Sequence, residues 1–160
     1  MFKLYKRDER GVITHYYEVW VEPHNRRIID HFGPLGEQGE ARPHRMKLFR
    51  SLERQVEDML GPAREAGFSE VGIEDHTSLV VSFTEGGFGD LGDMDKRDAL
   101  EERLNEILGW TGLGHCDGSS HVDDCLEVAC FVLDVELAST AISEGLAGGE
   151  FANFTRIYSE

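Results

Sequence analysis

The chain has 160 residues, 40% hydrophobic and 29% charged, with 16 Lys/Arg against 31 Asp/Glu for a formal net charge of −15. This balance fits a folded, soluble protein, and no run approaches the roughly 18–20 apolar residues that span a bilayer. The opening Met1-Phe2-Lys3-Leu4-Tyr5-Lys6-Arg7 lacks the apolar core of a signal peptide, so the cytoplasm of a bacterium-like cell is the expected setting, with no membrane partner.

The charge is divided unevenly. Residues 1–76 carry 12 Lys/Arg against 14 Asp/Glu, a net of −2, while residues 77–160 carry 4 against 17, a net of −13. Such a split predicts two modules, 1–76 and 77–160, of about 80 residues each. Phosphate backbones select cationic surfaces through counterion release, so any nucleic-acid contact belongs to residues 1–76.

In chain order, Phe2-Lys3-Leu4-Tyr5 alternates as a strand. After a turn at Arg10-Gly11, residues 12–21 are β-branched and aromatic, with Tyr17, Val19 and Val21 on one face. Pro23-His24-Asn25 predicts a turn, residues 27–32 a strand, and residues 33–40 a glycine-punctuated loop. Met46, Phe49, Leu52, Val56, Met59 and Leu60 then fall at helical spacing, which predicts an amphipathic helix over 46–60 stopped by Gly61. Pro62 opens a further short helical turn that Gly67 ends, and residues 68–73 form a closing strand.

In the second module, residues 79–83 form an apolar strand and residues 85–93, with four glycines, a loop. Asp95 is the expected N-cap of a helix whose face is Leu100, Leu104, Ile107 and Leu108, with Asp98 complementing the first-turn amides and Gly109 as the stop. Residues 111–116 form a strand, 117–124 a polar connection, and 125–133 the clearest strand, with Leu126, Val128, Cys130 and Val132 on one face. Asp134 caps a helix over 135–146, and residues 153–158 form the last strand. The order β-α-β-β-α-β predicts a ferredoxin-like sandwich, so the whole chain is expected to be α+β.

The stretch Asp30-His31-Phe32-Gly33-Pro34-Leu35-Gly36-Glu37-Gln38-Gly39 resembles the signature of the WGR domain. Phe32 stands at the signature tryptophan, Gly33 at its glycine and Pro34 at its arginine, and Gly36 and Gly39 match the following turn. Gly67-Phe68-Ser69-Glu70-Val71 resembles the family's exit from helix into last strand. The resemblance covers a little under half the chain and departs at two of the three signature residues. It implies an antiparallel sheet with one long helix and a role as a nucleic-acid-binding or protein-docking module. Replacement of the arginine by Pro34 removes a guanidinium suited to phosphate or carboxylate.

Arg42, Arg45, Lys47, Arg50 and Arg54 form the basic cluster, with Glu53 the sole acid among them. They are expected at a helix N-terminus, where free amides add positive potential, and Arg26-Arg27 extends the patch if that turn lies nearby. The cluster faces nucleic acid, docks on the acidic second module or another protein, or is plain solvated surface. His115, Cys116, His121 and Cys125 carry zinc-ligand chemistry at a spacing that matches no common zinc pattern, and adjacent His115 and Cys116 point to opposite faces of a strand. His115-Cys116-Asp117 is too contiguous for a thiol and its base. Cys130 reads as core, and all three cysteines as free thiols. Asp90, Asp93, Asp95 and Asp98 lack the spacing of a calcium loop. No metal, cofactor or catalytic set is therefore expected.

These features predict a non-catalytic interaction protein, a WGR-like docking module joined to an acidic α+β module, in which a surface of one or both recognises another macromolecule, most simply a protein, with Arg42, Arg45, Lys47, Arg50 and Arg54 as the candidate binding residues. The alternatives are an acidic inhibitor or immunity-type protein for a basic partner, or nucleic-acid binding through residues 42–54. The sequence sets no oligomeric state.

Overall fold

Aromatic and β-branched residues at alternate positions build the first sheet. In the computed structural model, which describes residues 1–90 and 92–159, this part consists of β1 (Phe2–Arg7), β2 (Ile13–Glu22), β3 (Arg27–Pro34), β4 (Glu40–Arg45), α1 (Leu52–Glu65) and β5 (Phe68–Ser69). The strands lie in the order β4-β3-β2-β1-β5, every neighbour antiparallel. The register sets Tyr17 opposite Leu4 and Phe32. Alternation then places Leu4, Val19 and Ile28 on one face, where Val56, Leu60 and Ala63 of α1 complete the core.

Several expectations fail here, among them the closing strand over 68–73, which ends at Ser69 after two residues. The segment 33–40 is not all loop: β3 runs through Pro34, and a fourth strand follows from Glu40. Every residue of β4 is exposed, so it has no alternation to read, and Pro43 is tolerated because β4 is an edge strand. The helix starts at Leu52 rather than Met46. Ser51 is the N-cap, its hydroxyl accepting the Arg54 amide at 3.4 Å. Met46 does reach the core, but from the turn before the helix. Gly61 lies inside α1 rather than stopping it, and Pro62 continues the same helix rather than opening a new turn. Gly67, at φ +94°, takes the left-handed conformation that closes the helix.

The second part begins with a 3-10 turn at Ile73–Asp75, then β6 (Thr77–Thr84), α2 (Glu85–Phe88), α3 (Met94–Trp110), β7 (Gly114–Val122), β8 (Cys125–Val132), α4 (Val135–Leu146) and β9 (Arg156–Ser159). Its four strands are antiparallel in the order β7-β8-β6-β9. On β8, Leu126, Val128, Cys130 and Val132 are buried and alternate with half-buried partners, as the sequence pattern expects. Leu100, Leu104, Ile107 and Leu108 form the buried stripe of α3, and Ala138, Ile142 and Leu146 that of α4. The two helices pack closely: a Cβ on Gly145 would come within 2.6 Å of Ile107.

Asp93, not Asp95, caps α3, accepting the Lys96 amide at 3.1 Å, and Asp95 sits in the first turn. The glycine-rich loop contains the short α2. Residues 117–124 are not a free connection: β7 extends to Val122 and turns tightly into β8. The turn works because Asp123 accepts φ +53°, which the short polar Asp side chain tolerates. Contacts divide the chain into Met1–Gly72 and Ile73–Glu160. Thus the protein is mixed α+β with two separate antiparallel sheets. No helix among the described residues is long and apolar enough to cross a membrane.

Candidate docking surface

The basic residues sit on β4, on the turn that leaves it, and on the start of α1. Arg42 and Arg45 are strand residues, Lys47 and Arg50 lie in the turn, and Arg54 is in the first turn of the helix. The expected helix N-terminus at Met46 is therefore replaced by an exposed corner. Arg27 joins it, standing directly across from Arg45, and the Arg26 carbonyl accepts the Met46 amide at 2.9 Å. Two like charges face to face destabilise a strand pair, and an anionic surface relieves that repulsion.

The corner is held by Gln55, whose side chain is buried. Its Oε1 accepts the Lys47 amide at 2.6 Å, while its Nε2 donates to the carbonyls of Lys47 at 3.1 Å and Arg50 at 2.9 Å. One amide thus satisfies the backbone polar groups that a tight turn would otherwise leave unpaired. At its tip stand Leu48 and Phe49. Both are exposed, Phe49 fully.

The cations are not equivalent. Arg50 is paired with Asp58 at 2.7 Å. Arg42 lies 3.4 Å from Asp30 and stacks over Phe32, its guanidinium carbon 4.1 Å from the ring centroid. Asp30 is buried and collects three groups: His44 Nε2 at 2.7 Å, Arg42, and the Tyr17 hydroxyl, which donates to it at 3.3 Å. Burial, then the Asp30 charge, pushes the Tyr17 phenol up to about 12, so it stays a donor. Arg45, Lys47 and Arg54 are exposed, leaving their charge to the corner's outer surface. Between strand and helix a shallow pocket of about 150 Å³ is lined by Ile28, His44, Arg45, Lys47, Asp58 and Met59.

The opposite face of the same sheet carries a second polar network. His31 is 1% exposed, and its Nε2 carries a proton, which it donates to the Gln38 carbonyl at 2.7 Å. The Tyr16 hydroxyl, 3.0 Å from that nitrogen, donates to the Glu37 carbonyl at 3.0 Å. Glu18 lies 3.5 Å from His31 Nδ1 and 2.7 Å from Lys3 Nζ. This network fastens the 35–39 loop onto the sheet. Gly39 is obligatory there: it has φ +65°, and a Cβ would overlap the Tyr16 hydroxyl and the Phe32 carbonyl.

The other candidate chemistry is dispersed. His115 pairs with Phe131 near one end of β7 and His121 with Leu126 near the other, six residues or about 20 Å apart along the strand. His115 instead packs against the rings of Phe131 and His76. Asp90 and Asp93 accept the amides of Gly92 and Lys96. Among the described residues, no three His, Cys, Asp or Glu side chains are placed to hold a metal.

Sequence reasoning found the five cations but missed Leu48, Phe49, Gln55, Asp30 and His44. The available signals were the apolar pair Leu48-Phe49 set between Lys47 and Arg50, and Ser51 as a cap that moves the helix start past them. The chain matches no protein-family model, no curated protein and no solved structure.

Proposed function

We propose that this is a docking protein whose corner at Arg45, Lys47, Leu48, Phe49, Arg50 and Arg54 binds an acidic surface of another protein. Exposure of Leu48 and Phe49 inside a cationic rim carries the reading. An apolar centre with a charged border is the anatomy of a protein interface, and aromatic residues at such centres dominate binding energy. Phosphate-backbone binding requires cations but no apolar centre. In the same reading the first unit is a WGR-like docking module: a Gly-containing loop follows the strand that ends at Phe32-Gly33-Pro34, and one long helix packs on the sheet. The second is a ferredoxin-like module, supported by the element series β6-α3-β7-β8-α4-β9 and the strand order β7-β8-β6-β9.

The test is affinity capture by the full chain and by a Leu48→Ser, Phe49→Ser double variant, with and without nuclease. The expected result is a protein retained after nuclease, weakened by salt, and lost from the variant. Capture that disappears with nuclease assigns the corner to nucleic acid. Equal capture by the variant removes the corner from function.

A further inference from the structure

Cys116 and Cys130 occupy directly opposite positions on β7 and β8, and their sulfurs are 3.2 Å apart. Cys130 is buried and Cys116 half-buried. Asn105 Oδ1 accepts the Cys116 amide at 2.9 Å, which fixes the strand at this residue just before the bulge at Asp117. We propose that Cys116 and Cys130 are a modification site: a cross-strand thiol pair that closes to a disulfide when a low-molecular-weight disulfide of the glutathione type accumulates, with Cys116 as the entry sulfur.

The argument is geometric. Directly opposed residues on antiparallel strands have Cα atoms about 4.5–5.5 Å apart, within the range that a disulfide bridges. The sulfurs need to approach by only about 1.2 Å to reach the bonded distance of about 2.05 Å. Cys125 does not compete, because an odd offset of five residues along β8 puts it on the other face of the sheet from Cys130.

The chemistry balances in two exchanges. The Cys116 thiolate attacks the small disulfide, forming a mixed disulfide and releasing one thiolate. Cys130 then attacks the Cys116 sulfur, forming the intramolecular bond and releasing the second thiolate. The chain loses two electrons and two protons, and the small disulfide becomes two thiols. Contact with Cys130, then burial and the charge of Glu101, pushes the Cys116 thiol up. Thiolate is therefore scarce and the first exchange slow, so the site responds to sustained oxidation rather than a brief pulse. Closure would clamp β7, an edge strand, to β8.

The experiment incubates the full chain with oxidised and reduced glutathione at graded ratios. Free thiols are then alkylated and the cysteine peptides mapped by mass spectrometry. The expected result is that two of the three thiols disappear together, leaving a chain lighter by two hydrogens. The Cys116 and Cys130 peptides should be joined, and dithiothreitol should separate them. Cys125→Ser should behave as wild type, and Cys116→Ser should leave Cys130 alkylatable. A lasting glutathione adduct on Cys116 with Cys130 free, a bridge to Cys125, a disulfide-linked dimer, or three alkylatable thiols at every ratio would each overturn the proposal. If Cys116→Ser fails to fold, the wild-type peptide map decides alone.

Discussion

The two units are built on different terms. Among the described residues, the first buries four polar or charged side chains, Glu18, Asp30, His31 and Gln55, whereas the second buries one, Ser82. In the first, a modest apolar core is supplemented by hydrogen-bonded networks that hold a loop and a turn in place. In the second, alternating strands and two helices bury aliphatic stripes, and none of the described acids is buried. The contrast teaches that the unit poorer in clean hydrophobic pattern is the one that builds specific polar geometry, and with it the exposed corner.

The sharpest break of this comparison is polar deletion. His31→Ala frees the 35–39 loop and leaves buried Glu18 with Lys3 as its remaining charged partner, so it should cost about 3 kcal/mol in denaturant unfolding. Ser82→Ala in the second unit should cost less than ~1 kcal/mol. Equal costs would erase the distinction.

Next come two glycines with similar left-handed backbone, Gly39 at φ +65° and Gly148 at φ +70°. A Cβ at Gly39 overlaps Tyr16 and Phe32, whereas at Gly148 it meets open space. Gly39→Ala should cost about 2–3 kcal/mol, because steric overlap adds to backbone strain, and Gly148→Ala about 1 kcal/mol. Thermal or chemical denaturation checks both.

Smaller again are the anchors of turn and cap. Gln55→Ala removes three backbone partners and should cost about 1.5 kcal/mol while loosening the corner. Asp134 accepts the Leu137 amide at 2.9 Å as the cap of α4, and Asp134→Ala should cost about 1 kcal/mol without touching docking.

Alkaline pH separates the units as well. Tyr5, Tyr16 and Tyr17 all lie in the first unit, and burial raises each phenol, aided by Glu18 for the first two and by Asp30 for Tyr17. An acid whose folded pKa is raised keeps its proton longer in the native state. The unfolded chain therefore loses protons first, above about pH 10, and stability falls from there through the folded value of about 12 for Tyr17. Phenolate absorbance should lag behind that of free tyrosine, and Tyr17→Phe should make the loss of stability between pH 10 and about 12 shallower.

The same contrast explains what was legible. β8 alternates without a break and α4 has a clear stripe, so both were placed correctly, with Asp134 as cap. β4 has no buried residue, so no periodicity marks it, and Phe49 mimics a helical position while pointing to solvent. Asp30, His44 and Gln55 act through partners from other elements, and no local pattern announces a hydrogen bond across 8 or 14 residues. The 117–124 segment reads as polar because residues of an edge strand face solvent, yet it pairs along β8.

The most direct test captures partners with two double variants side by side, one in each unit. Leu48→Ser with Phe49→Ser alters the basic corner, and Glu102→Lys with Glu106→Lys reverses the charge of two exposed acids on α3 (Met94–Trp110). The account predicts that the first variant loses the partner and the second keeps it. Retention by the first and loss by the second would place recognition on the acidic unit and contradict the account.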